Sequence, residues 1–132
     1  MTMSTKTIEQ LTSNGRSTLN NRDSNLLKEF SELLSRNLNT SRSVKYYANL
    51  LAITTKKLNS ITKTYWGITA KEFIEEKIIH ESKKILLETP DTIKQISYTL
   101  GFTEPTNFNK FFKKRTSITP LQFREQHYKG TF

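Results

Sequence analysis

The sequence contains no cysteine, and this absence removes several kinds of chemistry. Without thiols the chain has no disulfide, no thiol nucleophile and no thiolate to offer a metal. It has only two histidines, four glycines and three prolines, and neither a Gly-rich phosphate loop nor a nucleophile elbow occurs. No apolar run approaches the ~18 residues of a membrane span, and no apolar stretch follows Met1. The sequence therefore predicts neither a transmembrane helix nor a secretory signal.

Acidic charge is also scarce. The 132 residues include 21 Lys or Arg but only 12 Asp or Glu, which leaves a formal net charge of +9. Eight Phe, five Tyr and one Trp supply enough large apolar groups for the core of one compact domain. The lack of cysteine and these proportions predict a soluble domain of a reducing compartment whose partner is a polyanion, and they favour nucleic acid over a membrane surface.

The apolar pattern divides the chain into three parts. Residues 1–25 contain 13 Ser, Thr or Asn and read as a polar leader or linker. Residues 26–127 carry the core pattern of the folded domain, and residues 128–132 form a short tail. The first core helix is expected to follow an N-cap at Asp23 or Ser24. Its apolar residues recur at helical spacing: Leu26, Leu27, Phe30, Leu33, Leu34 and Leu38.

An internal repeat with a period near 50 residues follows this helix. Four apolar or small positions of the first copy recur 49 residues later, and after one inserted residue the spacing becomes 50. The matched pairs are Val44/Ile93, Tyr47/Ile96, Ala48/Ser97, Leu51/Leu100, Leu58/Phe108 and Ile61/Phe111. Each copy reads as two short helices around a tight turn, so we predict helix-turn-helix units over residues 43–66 and 92–116.

Capping residues mark the ends of these helices. Ser43 and Thr92 are expected to cap the first helix of each copy, and Thr54 and Thr103 the second. Gly101 suits the left-handed position after a helix. Each copy then ends in a capping box, Thr69 with Glu72 and Thr119 with Gln122, and Pro120 takes a first helical position. The helix from 69 to 88 connects the copies and measures about 30 Å, close to the ~34 Å between successive major-groove openings.

The outward faces of the two second helices lack acidic residues. Opposite the Leu58 core stripe lie Lys56, Asn59, Ser60 and Lys63, and opposite the Phe108 stripe lie Thr106, Asn109, Lys110 and Lys113. A solvated helix face would mix Glu with Lys. Faces of Lys, Asn, Ser and Thr are instead typical of a helix that enters the major groove of DNA.

Three motifs of the second copy resemble the DNA-binding domain of the AraC/XylS family of bacterial transcription regulators. They are Ile96-Ser-Tyr-Thr-Leu-Gly-Phe102, Asn107-Phe-Asn-Lys-Phe-Phe-Lys113 and Ile118-Thr-Pro-Leu-Gln-Phe-Arg124. The resemblance covers residues 26–127, with Ser97 and Ser117 where the family usually has Ala and Gly. It implies an all-α fold of about seven helices, recognition of two groove segments and recruitment of RNA polymerase.

The same resemblance assigns site residues. The positions that match the family's base-contacting face are Lys56, Asn59, Ser60, Thr106, Asn109 and Lys110, with Pro105 at a further contact position. Phosphate contacts are expected from cationic side chains and helix starts: Ser43, Lys63, Thr92, Lys113, Lys114 and Arg115. A basic last turn also complements the helix dipole, which is a purely structural explanation of Lys114 and Arg115.

The sequence can also be compared with two other classes of function, an enzyme and a protein-interaction module. Catalysis is disfavoured because His80 and His127 lack ligand-spaced neighbours and because the family's DNA-repair members need a cysteine; no cofactor and no metal are expected. A helical protein-interaction module that docks a partner such as RNA polymerase, through Glu72, Glu75 and Glu76, is the alternative. Family members often carry a separate ligand-sensing domain, and the sequence identifies none. The operator, the effector and the direction of regulation stay open.

Overall fold

The computed structural model describes residues 21–128, and every regular element in that range is an α-helix. The predicted all-α class is therefore confirmed, and the predicted number of about seven helices holds for these residues. Residues 1–20 of the expected leader and 129–132 of the expected tail lie outside the described part. The helices are α1 (Asn21–Asn37), α2 (Val44–Leu50), α3 (Thr55–Trp66), α4 (Ala70–Glu88), α5 (Ile93–Thr99), α6 (Pro105–Thr116) and α7 (Pro120–His127).

The helices form two compact units. Within the described chain, the first unit comprises residues 21–37 and 42–74, and the second comprises 38–41 and 75–128. The connecting helix α4 begins in the first unit and ends in the second. Each unit contains one helix-turn-helix pair, α2–α3 in the first and α5–α6 in the second.

Aromatic rings fill the centre of the first unit. Phe30 of α1 is fully buried and its ring lies 5.9 Å from Tyr47, 6.4 Å from Trp66 and 5.4 Å from Phe73. The Tyr47 hydroxyl donates to the carbonyl oxygen of Asn37 at 3.0 Å, so it satisfies an acceptor at the end of α1. Burial, and then the neighbouring Tyr46, raises the pKa of Tyr47 to about 12.

A row of phenylalanines fills the second unit. The ring of Phe108 lies 5.3 Å from Phe102 and 6.0 Å from Phe112, and Phe112 lies 5.7 Å from Phe123 of α7. Phe108 and Phe112 are fully buried. The spacing of these residues along α6 places them on one face, because positions three to four residues apart share a side of a helix.

Most of the predicted caps are present. The side chains of Ser43, Thr54 and Thr92 each accept a backbone N–H at the start of α2, α3 and α5. The Thr69/Glu72 and Thr119/Gln122 pairs form both hydrogen bonds of a capping box. Gly101, with φ +89°, follows α5 in the left-handed region as expected.

Two boundary predictions were wrong. Helix α1 begins at Asn21, so residues 21–25 belong to it instead of the leader, and Asp23 and Ser24 lie in its first turn instead of capping it. Thr103 does not cap α6 either, since Pro105 occupies the first helical position and Glu104 the N-cap. The residue inserted into the second copy shifts the cap by one position, and the Glu104 side chain makes no capping hydrogen bond.

Candidate nucleic-acid interface

Helix α3 presents a row of three exposed polar residues on the side away from its core residues. Lys56, Ser60 and Lys63 are spaced by four and three residues and are all exposed. The opposite side carries Leu58, which is fully buried, and Ile61, of which 2% is exposed. The structure thus keeps these three sequence-predicted residues together on one accessible face.

Helix α6 repeats this arrangement 50 residues later. Thr106, Lys110 and Lys113 are exposed and carry the same spacing of four and three residues. Phe108 and Phe112 anchor the opposite side in the core. Pro105, the further contact position, begins the helix and is half-buried.

An ion pair keeps one further cation of α3 away from this row. Lys57 places its Nζ 3.3 Å from a carboxylate oxygen of the buried Asp23 in α1. The Tyr65 hydroxyl donates to the other oxygen at 3.5 Å, and burial, followed by the Asp23 charge, raises the pKa of Tyr65. Lys57 therefore helps hold α3 against α1, a role that the sequence pattern did not reveal.

The two candidate asparagines are half-buried. In the first unit, Oδ1 of Asn59 accepts a hydrogen bond of 2.9 Å from the backbone N–H of Ala70, at the start of α4. Base reading by asparagine uses its carboxamide oxygen and nitrogen together, against the N6 and N7 atoms of adenine. The oxygen of Asn59 therefore already accepts a hydrogen bond within the protein. Asn109 occupies the corresponding position of α6, directly after Phe108.

The expected phosphate-binding residues fall into two groups. The side chains of Lys63, Lys113 and Lys114 are exposed at the ends of α3 and α6. Arg115, in contrast, donates from Nη1 to Oε1 of Glu75 at 2.6 Å. The Arg115 charge is therefore partly neutralised within the second unit.

The helix starts at Ser43 and Thr92 are engaged in their own caps. The Ser43 hydroxyl accepts from the N–H of Tyr46, and the Thr92 hydroxyl accepts from that of Gln95. The Thr92 N–H donates in turn to Oε1 of Gln95 at 2.8 Å. The Thr92 amide proposed for phosphate binding is thus already satisfied, while the Thr92 hydroxyl, which accepts in this cap, also carries a proton that it can donate.

Arg124 supports the second unit in a way that the sequence did not predict. Its guanidinium donates to three carbonyl oxygens, those of Leu86 at 2.9 Å, Thr89 at 3.1 Å and Asp91 at 2.6 Å. These acceptors lie at the end of α4 and in the turn after it, where helical carbonyls lack partners. The only sequence signal was the position of Arg124 in the last of the three motifs.

Neither a metal centre nor a bilayer-spanning segment is found among the residues that the structure describes. No cluster of three or more His, Cys, Asp or Glu side chains lies within reach of one ion over residues 21–128. In the same range no helix is long and apolar enough to cross a membrane. The features that remain are two helix-turn-helix units with exposed, acid-free recognition faces, and together they define a DNA-binding domain of the tandem helix-turn-helix class.

Comparison with known proteins agrees with this class. A family described as "Helix-turn-helix domain" matches residues 47–126. Histidine kinase P4 of Formosa agariphila is 29% identical over 83% of this chain, and the DNA repair enzyme and activator AdaA of Bacillus subtilis is 27% identical over 78%. The probable transcription factor PqrA of Proteus vulgaris is 28% identical over 76% of this chain and 84% of its own length. The chain spans only 8% of the kinase and 49% of AdaA.

A solved structure carries the same fold bound to its ligand. The DNA-binding domain of AdpA, in complex with a target DNA, superposes with a TM-score of 0.69 over 76% of this chain and 91% of that one, at 13% identity. The AraC-type regulator of Chromobacterium violaceum gives the same TM-score at 23% identity, over 81% of this chain and 96% of the other. The chain belongs to the AraC/XylS family, and residues 47–126 are its DNA-binding helix-turn-helix domain.

Proposed function

We propose that this chain is a sequence-specific DNA-binding regulator of transcription that inserts α3 and α6 into successive major grooves of one duplex. The observation that supports this most is the repetition of the exposed row, Lys56-Ser60-Lys63 in α3 and Thr106-Lys110-Lys113 in α6. Both rows lie opposite buried core residues, and neither contains a carboxylate. A duplicated core does not require duplicated acid-free surfaces, so a shared polyanionic ligand is the simplest cause.

The proposed contacts divide by chemistry. Lys56, Ser60, Thr106 and Lys110 are assigned to base edges, because they occupy the exposed centre of each face. Lys63, Lys113 and Lys114 are assigned to phosphates. Ser43, Thr92 and Arg115 remain phosphate candidates, but the hydrogen bonds within the protein lower the contribution expected from each.

Selection of bound sites from random duplexes, followed by titration at several salt concentrations, tests the proposal. Each phosphate that the protein neutralises contributes about −0.9 to the slope of log K against log salt. Full contacts from Lys63, Lys113 and Lys114, with a partial contribution from Arg115, predict a slope of about −3 for the selected site. Binding that does not change with salt, or selection that yields no common motif, would refute the proposal.

We extend the proposal to three properties that the family resemblance implies. They are contact with RNA polymerase, control by a ligand-sensing domain, and action at the nucleoid in the cytoplasm. Transcription from a template that carries the selected site, with purified polymerase, tests the first. A rise in transcript on addition of the chain indicates an activator and a fall indicates a repressor. No change with the site occupied would contradict a regulatory role.

A docking module that does not read DNA has less support from the geometry. Of the three acidic residues considered for such a surface, Glu72 caps the start of α4 and Glu75 pairs with Arg115. Two of the three carboxylates thus have structural partners. We likewise propose that the chain has no enzymatic activity, because the family that it matches over residues 47–126 is a helix-turn-helix domain and its sequence has no cysteine.

A further inference from the structure

The two recognition helices carry an asparagine at the same position, but the helices that follow them begin with different residues. Asn59 of α3 and Asn109 of α6 are 50 residues apart, and both follow the buried apolar residue that begins the core stripe. In the first unit Asn59 accepts the N–H of Ala70, the first residue of α4. This bond joins a recognition helix to the helix that follows it.

The second unit has a proline in place of Ala70. Pro120 is the first residue of α7 and lies 50 residues after Ala70. The two helix starts are otherwise alike, since the Glu72 N–H donates to Thr69 Oγ1 at 3.0 Å and the Gln122 N–H donates to Thr119 Oγ1 at 3.1 Å. Proline has no backbone N–H, so Pro120 cannot make the bond that Ala70 makes.

We propose that the duplicated asparagines have different roles: Asn109 reads a base edge with its whole carboxamide, and Asn59 is a positioning residue that attaches α3 to α4. This inference rests on the proposed function and identifies which half of the domain uses asparagine for specificity. Adenine is the base expected opposite Asn109, because its N6 donor and N7 acceptor match the oxygen and nitrogen of the side chain. The Ala70 N–H occupies one of the two lone pairs of Asn59 Oδ1 and fixes the rotamer of this side chain, so its carboxamide is oriented towards the start of α4.

The substitution Pro120→Ala tests the inference most directly. It restores an N–H at the start of α7, where alanine is compatible with the helix, and this donor should capture Oδ1 of Asn109. We expect affinity for the selected site to fall by about 5- to 150-fold, the equivalent of one bidentate base contact. Affinity for random DNA should not change, because the substitution alters no charge.

Asn109→Ala provides the independent measurement and completes a double-mutant cycle. This variant should show the same loss on the selected site and a relaxed preference at one adenine. Adding Pro120→Ala to it should cause no further loss, since the captured side chain is absent. If Pro120→Ala leaves binding to the selected site intact, or if its effect persists undiminished in the Asn109→Ala background, the inference is wrong.

Asn59→Ala is the matched control in the first unit. It should lower the midpoint of thermal unfolding and reduce affinity for selected and random DNA by the same factor, without relaxing any base position. A base preference that relaxes in Asn59→Ala as it does in Asn109→Ala would overturn the division of roles. If the unaltered chain binds no duplex in a salt-dependent manner, the proposed function itself fails. If it binds and the asparagine variants behave alike, only the present inference fails.

Discussion

Four residues with positive φ mark equivalent turns of the two copies, and each pair contains one glycine and one larger residue. Ala52 (φ 58°) corresponds to Gly101 (φ 89°), and Gly67 (φ 79°) to Ser117 (φ 75°). Glycine adopts this region without a steric penalty, whereas an L side chain costs about 1–2 kcal/mol there. Equivalent backbone conformations therefore persist although the sequence places glycine at only one member of each pair.

Gly101 should be the least replaceable of these residues. A Cβ at position 101 would lie 2.9 Å from the backbone oxygen of Asn39, whereas a Cβ at Gly67 would have no atom within 4 Å. Gly101→Ala should therefore lower the free energy of unfolding by about 1–3 kcal/mol more than Gly67→Ala, which adds strain but no overlap. Urea denaturation of both variants measures the difference, and equal losses would show that the Asn39 contact is unimportant.

Ser117 offers a stabilising change. Its side chain is exposed, and its left-handed backbone ends α6 by donating its N–H to the carbonyl of Lys113 at 2.7 Å. Ser117→Gly should raise the free energy of unfolding by about 0.5–1 kcal/mol, because relief of strain exceeds the entropy that glycine loses on folding. Thermal and urea melts check this, and a destabilised variant would mean that the serine side chain makes a compensating contact.

Tyr47 should make stability depend on pH in the alkaline range. Burial is the main reason that its pKa rises from 10.0 to about 12, so the folded protein favours the protonated phenol. The corresponding stability is complete below pH 10 and is lost as the pH rises towards about 12. Tyr47→Phe should reduce this pH dependence, while losing about 1 kcal/mol at neutral pH with the bond to Asn37. Urea melts at increasing pH, with Tyr98→Phe as the exposed control, decide whether Tyr47 is responsible.

At the scale of helices, the hydrogen bonds at the helix ends stabilise the fold in addition to the packing of the helix faces. The start of each helix-turn-helix is fixed by a hydroxyl cap, and α4 is held at its start by Asn59 and Glu72 and at its end by Arg124. A helix of 19 residues leaves several backbone groups without partners at each end. Arg124, 38 residues away from Leu86, supplies such a partner, which gives the motif that ends in Arg124 a structural role.

Arg124 should be irreplaceable by lysine. Its planar guanidinium reaches three carbonyl oxygens at once, and an ammonium group cannot reproduce that geometry. Arg124→Lys and Arg124→Ala should both lower the free energy of unfolding by about 2–3 kcal/mol. Arg36→Lys, on the exposed side of α1, is the control. Full stability of Arg124→Lys in a urea melt would show that charge alone suffices.

For the whole molecule, eight of the nine net positive charges are divided equally between the two copies of the repeat, and residues 1–41 supply the ninth. Residues 42–90 hold nine basic and five acidic groups and residues 91–132 hold seven and three, so each copy contributes +4. Equal charge per copy predicts that both halves contribute to the general affinity for DNA. Ion pairs such as Lys57–Asp23 and Arg115–Glu75 reduce the number of cations that remain available.

Substitutions in α6 should separate the affinity for the selected DNA site from the affinity for DNA of any sequence. Lys110→Ala should weaken binding to the selected site by about 1–3 kcal/mol and relax base preference at one position, because Lys110 is assigned to a base edge. Lys113→Ala should weaken selected and random DNA about equally and lower the salt slope by about 1. Anisotropy titrations of both variants on both DNAs test the assignment, which identical profiles would contradict.

Much of this protein could be predicted from its sequence because the decisive signals are local. Apolar spacing, hydroxyl caps and the 50-residue repeat act within a few residues or recur in order, so they identified the helices, the turns and the outward rows. The errors arose where one inserted residue moved a cap from Thr103 to Glu104, and where polar residues 21–25 form the first turns of α1. Hydrophobic periodicity cannot predict a helical turn that contains only polar residues.

Only the tertiary structure decided which polar groups are committed within the protein. Asp23 with Lys57, Glu75 with Arg115 and Asn59 with the Ala70 N–H each join positions that are 11 to 40 residues apart. The apolar spacing, the caps and the repeat predict the helices of the fold from the sequence alone. The helix period determines which side of a helix a residue occupies, so the two basic faces could be predicted as well. Hydrogen bonds and ion pairs depend on atoms brought within about 3 Å by packing, and the partners of those polar side chains could therefore be assigned only from the folded chain.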